Sequence, residues 1–118
     1  MDQAEKKARG GYQRIALHFR SISDRATMLE GSVYEPVKAA IQDLSQEVEH
    51  ATGESLPGSE SADAEISAGF GRIEALMMEL EDAGEGEEGE ALAKKAQREI
   101  QLVKLAVARR EDLMKTLR

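Results

Sequence analysis

The sequence predicts an all-α protein, built as an antiparallel four-helix bundle or as two long helical hairpins with coiled-coil-like packing. Ala, Glu, Lys, Leu, Gln and Arg dominate the 118 residues, and all six favour helix. Aromatic residues are scarce and only two prolines occur. Apolar residues recur at alternating steps of three and four, the period of a helical a/d seam. The length indicates a single domain over residues 1–118.

The first predicted helix covers about residues 4–30. Glycine in a helix interior costs about 1 kcal/mol relative to alanine, so the segment 1–9, before the Gly10–Gly11 pair, is predicted to fray. The apolar seam of this helix consists of Tyr12, Ile15, Phe19, Ile22, Ala26, Leu29 and Val33.

A turn at Gly31 separates the second predicted helix, about residues 34–52, from the first. Ser32 and Glu35 have the spacing of a capping box, and Pro36 is tolerated only in the first turn of a helix. The seam of this helix consists of Val37, Ile41, Leu44, Val48 and Ala51.

Residues 53–61 are rich in Gly, Ser and Pro and are predicted to form a linker, long enough to cross the end of a bundle. The third predicted helix covers about residues 62–83. Its seam consists of Ile66, Phe70, Ile73, Met77 and Leu80.

The fourth predicted helix, about residues 88–117, has an apolar arc too wide for one neighbouring helix. We therefore expect it to contact two neighbours. One side of the arc contains Leu92, Ala96, Ile100, Val103, Val107 and Met114, and the adjoining side contains Leu102, Ala106, Leu113 and Leu117.

The acidic, glycine-rich run between the third and fourth helices raises the question of a calcium site. An EF-hand loop starting at Asp82 needs oxygen ligands at its first, third, fifth and twelfth positions. Gly84, Gly86 and Ala93 occupy the last three of these positions and supply no side-chain oxygen. The run is therefore predicted to be a corner that binds no metal. Glu87, Glu88 and Glu90 then lie near the positive N-terminus of the fourth helix.

Charge is distributed unevenly along the chain, whose net charge is −7. Residues 1–30 carry +2, residues 31–90 carry −14 and residues 91–118 carry +5. In an up-down-up-down bundle the basic first and fourth helices lie next to the acidic second and third helices. Two interpretations of the acidic middle stay open: it neutralises the basic helices, or it binds a basic surface of another protein.

His18 is the candidate for a first alternative function, histidine phosphotransfer. Phosphotransfer domains are four-helix bundles of this size with a histidine on one helix face. They place lysine and glycine three and four residues after that histidine, where this chain has Ser21 and Ile22. The competing interpretation is a histidine at the edge of the core, packed over its neighbours.

Glu47 and His50 match the Glu-x-x-His element of di-iron carboxylate bundles. Such sites need two copies of the element, and only one is present. The helical projection also places His50 on the solvent side of the second helix. We therefore predict no metal ligand here.

The fourth helix suggests a second alternative, nucleic-acid binding. Against it, a pI of about 4.9 disfavours contact with phosphate, and aromatic residues for base stacking are few. Nucleic acid is therefore an unlikely partner. The basic residues concerned are Lys94, Lys95, Arg98, Arg109 and Arg110.

The function that these observations favour is a non-enzymatic helical protein–protein interaction module, such as a regulator, an adaptor or a chaperone-like binder. No catalytic or cofactor-binding residue is predicted. Met28, Met77 and Met78 are the expected adaptable contacts to a protein partner. Leu, Ile, Val and Phe number only 24, a thin core that favours a homodimer. The absence of cysteine and of any long apolar run predicts a cytoplasmic protein without membrane contact.

Overall fold

The computed structural model describes residues 3–51 and 56–117, with side chains from residue 12 onward. This part of the chain folds into four helices and contains no strand, which confirms the all-α prediction. A short 3-10 turn, Ser32–Tyr34, precedes the second helix. The helices are α1 (Gln3–Thr27), α2 (Glu35–His50), α3 (Glu60–Ala83) and α4 (Glu87–Leu117). The segment predicted to fray is helical from Gln3 onward, and its first two residues lie outside the described part.

The helices form two antiparallel hairpins that pack side by side. Within the first hairpin the Lys38 ammonium donates a hydrogen bond to the carbonyl of Leu29, close to the turn between α1 and α2. Helices α1 and α3 run parallel. His18 of α1 contacts Glu74 of α3, and seven residues further along both helices Arg25 contacts Glu81. The chain directions therefore alternate up, down, up, down.

The order of the helices around the bundle is α1, α2, α4, α3. Helix α1 packs against α2 and α3, and α4 packs against the same two helices. In a simple up-down ring α1 would lie beside α4. Here the two basic helices lie on one diagonal and the two acidic helices on the other, so the predicted linker has to cross the end of the bundle. Its residues 53–55 lie outside the described part. Each basic helix consequently has an acidic helix on both sides.

The core is formed by one apolar seam from each helix. The predicted seams of α1, α2 and α3 are buried, apart from Val33 and Ala51, which are half-buried. Because the four seams of one chain close on each other, a second copy is not needed to complete the core. Its largest buried apolar side chains are Phe70, Ile22, Ile41, Leu44, Ile66, Ile73, Met77, Leu80, Ile100 and Met114.

Helix α4 contacts two neighbours, as predicted, but its buried side is rotated from the predicted one. Leu102 and Leu117 were predicted to lie in the apolar arc and are exposed. The buried side instead includes Gly89, Ala93 and Arg110. Six predicted members of the arc are buried, and only its leucine edge was wrong, because the buried side extends the other way to small residues. The six are Ala96, Ile100, Val103, Ala106, Val107 and Met114.

The glycine–glutamate run is a corner. Helix α3 ends at Ala83, Gly84 adopts a φ of 66° and Gly86 a φ of 129°, both of which favour glycine. The Glu85 carboxylate accepts hydrogen bonds from the backbone N–H of Ser32, at 3.2 Å, and from its hydroxyl, at 3.4 Å. Ser32, in the turn between α1 and α2, is thus bound to the turn between α3 and α4. The predicted capping box of Ser32 with Glu35 does not form.

Close packing of α3 on α4 requires a glycine at position 69. A Cβ atom built on Gly69 would lie 2.4 Å from Cγ2 of Val103, far inside van der Waals contact. Valine has little freedom to move because it is branched at Cβ. Gly71, one half-turn further along α3, has nothing within 4 Å of the same position.

These two glycines form a matched pair for substitution. Gly69→Ala is expected to destabilise the fold by about 1–3 kcal/mol, because it overpacks the contact with Val103. Gly71→Ala is expected to stabilise the fold by up to about 1 kcal/mol, because alanine favours an exposed helix interior more than glycine does. Urea denaturation followed by circular dichroism measures both free energies of unfolding. Equal effects at the two positions would contradict the packing described here.

Candidate functional site

Large apolar side chains are exposed on three of the four helices and their ends, but not on α2. The exposed side chain fractions reach 80% for Met28 and 60% for Leu17. The outer face of α2 carries glutamate, glutamine, aspartate and histidine, with Pro36 and Ala39 as its apolar members. The outer face of α2 is therefore polar, as is usual for a face in contact with water, whereas the outer faces of the other helices expose large apolar side chains. Among the residues whose side chains the structure describes, the exposed large apolar residues are Leu17, Met28, Met78, Leu102, Leu105 and Leu117.

The three methionines predicted to contact a partner occupy different environments. Met28, just after the end of α1, is exposed, and Met78 on α3 is half exposed. Met77 is completely buried in the seam between Ile73 and Leu80, so its prediction as a surface contact was wrong. Adjacent helical residues point about 100° apart, which places one methionine in the core and the next at the surface.

His18 lies in the groove between α1 and α3 and is about one-third exposed. Its Nε2 atom is 3.3 Å from a carboxylate oxygen of Glu74, and its ring meets the ring of Phe70 edge to face. A carboxylate beside Nε2 repels an incoming phosphoryl group, which is also anionic. The phosphotransfer hypothesis stays a prediction, and this geometry gives it no support.

About two helical turns further along the same groove, Arg25 donates two parallel hydrogen bonds of 3.0 Å to the carboxylate of Glu81. These hydrogen bonds hold the pKa of the Glu81 carboxyl below its usual range. The His18–Glu74 contact and the Arg25–Glu81 ion pair together occupy the groove between α1 and α3.

His50 is exposed on α2, as the helical projection predicts, and Glu47 is exposed as well. The Nδ1 atom of His50 lies 2.7 Å from the backbone carbonyl of Gln46, one turn earlier. Among the described residues, no three His, Cys, Asp or Glu side chains are grouped closely enough to hold a metal ion.

Four of the five basic residues proposed for nucleic-acid contact are exposed, and the fifth is buried. Lys94, Lys95 and Arg98 are exposed, and Arg109 is exposed with its guanidinium 3.7 Å from Glu65. Arg110 has no exposed surface. Its inclusion among the surface cations was wrong, because α4 turns this position toward the inside of the bundle.

Arg110 forms a buried cluster with groups from three other parts of the chain. Its Nε atom donates a 2.7 Å hydrogen bond to Asp63, and its Nη1 atom donates a 3.1 Å hydrogen bond to Glu111. The guanidinium also lies over the ring of Tyr12, 3.9 Å from the ring centroid, in a cation–π arrangement. The hydroxyl of Ser59 lies 3.2 Å from the second carboxylate oxygen of Asp63.

Tyr12 extends this cluster to α2, because its hydroxyl donates a 3.2 Å hydrogen bond to the carbonyl of Val48. The cluster therefore joins all four helices at the end of the bundle where the α2–α3 connection crosses. Burial raises the pKa of the Tyr12 hydroxyl, and the positive charge of Arg110 lowers it by a smaller amount.

The sequence contains a signal for this cluster. Asp63 precedes Ile66 by three residues and so continues the α3 seam by one step. Arg110 lies three residues after Val107 and four before Met114, within the α4 seam. Two opposite charges at seam positions of neighbouring antiparallel helices indicate a buried ion pair.

An open groove of about 470 Å³ runs between α1 and α2, with Phe19 and Val48 among its lining residues. Small side chains, including Ala16, Ser23 and Ser45, line it as well.

In the part of the chain that the structure describes, no helix combines the length and apolar character needed to cross a bilayer. No protein-family model matches the chain, and neither a curated protein nor a solved structure is significantly similar to it.

Removing Asp63 tests the buried cluster. Asp63→Ala is expected to cost about 3 kcal/mol or more, because it leaves the buried Arg110 charge without its shortest contact. The double variant Asp63→Leu/Arg110→Met is expected to regain most of this loss, since apolar residues of similar volume can replace a buried ion pair. Glu65→Ala, which breaks an exposed pair on the same helix, is expected to cost less than about 1 kcal/mol. Urea denaturation measures all three, and a cost for Asp63→Ala as small as that for Glu65→Ala would contradict the assignment.

The pKa of Tyr12 predicts a loss of stability at alkaline pH. The ordinary tyrosine pKa is about 10, and Tyr12 has this pKa in the unfolded chain. In the folded state the pKa of Tyr12 is higher, so its hydroxyl stays protonated at a pH where it has ionised in the unfolded chain. The stability that the buried, neutral Tyr12 hydroxyl contributes is therefore fully present below about pH 10. It is lost as the pH rises through the pKa of Tyr12 in the folded state. Tyrosinate absorbance of wild type, with its two tyrosines, and of Tyr12→Phe isolates the Tyr12 component. A Tyr12 that ionises at or below the ordinary pKa would contradict the burial.

Proposed function

We propose that the chain is a non-enzymatic protein-binding module of the cytoplasm, and that it acts as a regulator, an adaptor or a chaperone-like binder. The observation that carries the proposal is the contrast between helix faces. Leu17, Met28 and Met78 expose large apolar side chains, whereas the outer face of α2 is polar with only small apolar members. Exposed apolar side chains on a chain with 33% charged residues are a cost to solubility that a binding role accounts for.

The spacing of these residues suits a helical partner. Leu17 and Met28 are eleven residues apart, which corresponds to about 16 Å along a helix axis, or three turns. An amphipathic helix presents apolar anchors over the same distance. Methionine adapts its shape to different partners because its side chain is unbranched and flexible.

The charged groups nearby are suited to the edge of such a contact. Arg25 and Glu81 pair opposite charges within the chain, and Glu74 keeps a contact with His18, so a partner that covers the groove leaves neither carboxylate without a contact. Apolar burial then supplies the affinity, and the rim of paired charges limits the orientation of the partner.

A photo-crosslinking side chain placed at position 28 tests this proposal in the native lysate. A protein crosslinked from position 28, but not from position 39 on the polar face of α2, is the expected result. Leu17→Glu should reduce that crosslink at least about tenfold, because it places a charge in the apolar contact. Ala39→Glu, an equally exposed substitution, should leave the crosslink unchanged.

The same crosslinked protein from positions 28 and 39 would refute binding at the surface of Leu17, Met28 and Met78. A crosslink from position 28 that Leu17→Glu leaves unchanged would refute it as well. Circular dichroism of each variant controls for folding. Because both substituted positions are exposed, the helical content is expected to match that of the wild type.

A further inference from the structure

Helix α4 carries a stripe of exposed residues on its outer side. Arg98, Leu102, Leu105 and Arg109 follow one another at steps of four, three and four, the spacing of a coiled-coil seam. At about 100° per residue, these four positions fall within a sector of about 60° of the same helix, so they share one face. Each of the two leucines is 53% exposed. We define these four residues as the α4 outer stripe.

The α4 outer stripe lies opposite the buried side of the helix. Ile100, Val107 and Met114 are buried in the bundle. By the helical period they point about 150–170° away from the centre of the stripe. The helices that pack against α4 are α3 and α2, and all four residues of the stripe stay exposed beside them. The stripe is therefore a second seam that the described part of one chain does not cover.

Basic residues extend the stripe at its N-terminal end. Lys94 and Lys95 lie about one turn before Arg98 and are exposed as well. Among the residues whose side chains the structure describes, neither lysine nor Arg98 forms an ion pair, whereas Arg109 is paired with Glu65. Three positive charges beside the two exposed leucines thus have no carboxylate bound to them within the described chain.

This combination suits a partner that is both apolar and acidic. Leu102 and Leu105 lose contact with water only against an apolar surface, and the cations beside them attract carboxylates. An amphipathic helix supplies both, because its apolar residues at steps of three and four share one face with glutamates one turn away. Lys94 and Arg109 are about 22 Å apart along the helix axis, a length that about four turns of a partner helix cover.

Partners that bind through phosphate groups suit the stripe less well. The four aromatic residues of the chain, Tyr12, Phe19, Tyr34 and Phe70, are all buried, so none is available to stack on a base. The two leucines of the stripe would face phosphate groups without an apolar contact. A bilayer surface is wider than a helix and also faces the rest of the chain, whose net charge of −7 repels anionic headgroups.

We propose that the α4 outer stripe binds an acidic amphipathic helix of a partner protein, whose apolar pair covers Leu102 and Leu105 and whose carboxylates contact the flanking cations. This inference goes beyond the proposed function and uses a different helix, since Leu17, Met28 and Met78 belong to α1, its end and α3. Two leucines give a small apolar area, so the dissociation constant expected for an isolated peptide at low ionic strength is roughly 0.1–1 mM.

An NMR titration with a synthetic peptide tests this proposal. The probe is an alanine-based helical peptide in which Glu, Leu, Leu and Glu follow one another at steps of four, three and four. This pattern is the same in both chain directions, so parallel and antiparallel binding are both tested. In one matched peptide lysines replace the glutamates, and in another serines replace the leucines. The acidic peptide is expected to shift the amide signals of residues 94–109, and each matched peptide is expected to bind at least about fivefold more weakly.

Two pairs of variants locate the binding face. Arg98→Glu is expected to weaken binding of the acidic peptide at least about fivefold, because it places a carboxylate against a glutamate of the peptide. Arg20→Glu on α1 changes the net charge equally outside the stripe and is expected to change the dissociation constant less than about twofold. Leu105→Ser is expected to weaken binding at least about fivefold, whereas Leu17→Ser, at an equally accessible position of α1, is expected to leave it unchanged.

Several results would overturn the proposal. One is an acidic peptide that does not bind, or binds no better than the basic peptide. Another is an Arg98→Glu variant that binds the acidic peptide as tightly as wild type. Signals of residues 94–109 that shift when the protein alone is diluted would identify a second copy as the occupant. A DNA duplex or an anionic vesicle that shifts these signals equally in wild type and Leu105→Ser would assign the stripe to phosphate groups instead.

The two proposals fail independently. Leu17→Glu, which tests the proposed function, is expected to leave the affinity for the acidic peptide unchanged. Arg98→Glu is expected to leave the crosslink from position 28 in place. Unfolding curves of both variants, compared with wild type, separate a lost binding surface from a lost fold.

Discussion

Arg110 has no contact with solvent, so the fold has to keep a carboxylate against its guanidinium. An isolated charge in the interior costs several kcal/mol, a large part of the 5–15 kcal/mol by which a domain of this kind is stable. Asp63 meets this requirement only when α3 and α4 are antiparallel and in one register. Tyr12 and Ser59 complete the cluster, and the hydroxyl of Tyr12 reaches α2 through the carbonyl of Val48. One buried charge thus constrains the relative positions of all four helices at this end of the bundle.

The opposite end is held by turns rather than by a buried charge. Gly84 and Gly86 adopt conformations that reverse the chain between α3 and α4, and Glu85 binds Ser32 in the other corner. The two ends therefore have different physical bases. Between them, the seams of the four helices supply apolar burial, which is the main favourable contribution to the free energy of folding.

The order of helices around the bundle explains how a chain with such uneven charge folds on itself. The crossing between α2 and α3 separates the two acidic helices and the two basic helices onto diagonals. Lys104 then binds Asp43 across α4 and α2, and Arg25 binds Glu81 across α1 and α3. Asp63 and Glu65 pair with Arg110 and Arg109 in the same way, so intramolecular ion pairs involve part of the acidic middle. Apolar surface remains exposed on α1, α3 and α4, and the proposed protein-binding function rests on it.

The sequence by itself determined the helices, because the spacing of apolar residues and the placement of glycine and proline are local properties. It also determined most of the core, the corner near Gly84 and the exposure of His50. It did not determine which faces α4 buries. Leu102 is as apolar as the core residues, and Arg110 occupies a seam position that only a carboxylate on another helix makes tolerable. The order of helices, the burial of Arg110, and the burial of Met77 beside the exposed Met78 were decided by the tertiary structure. These features depend on pairings between residues distant in the chain, and a helical repeat specifies a stripe but not the neighbour that covers it.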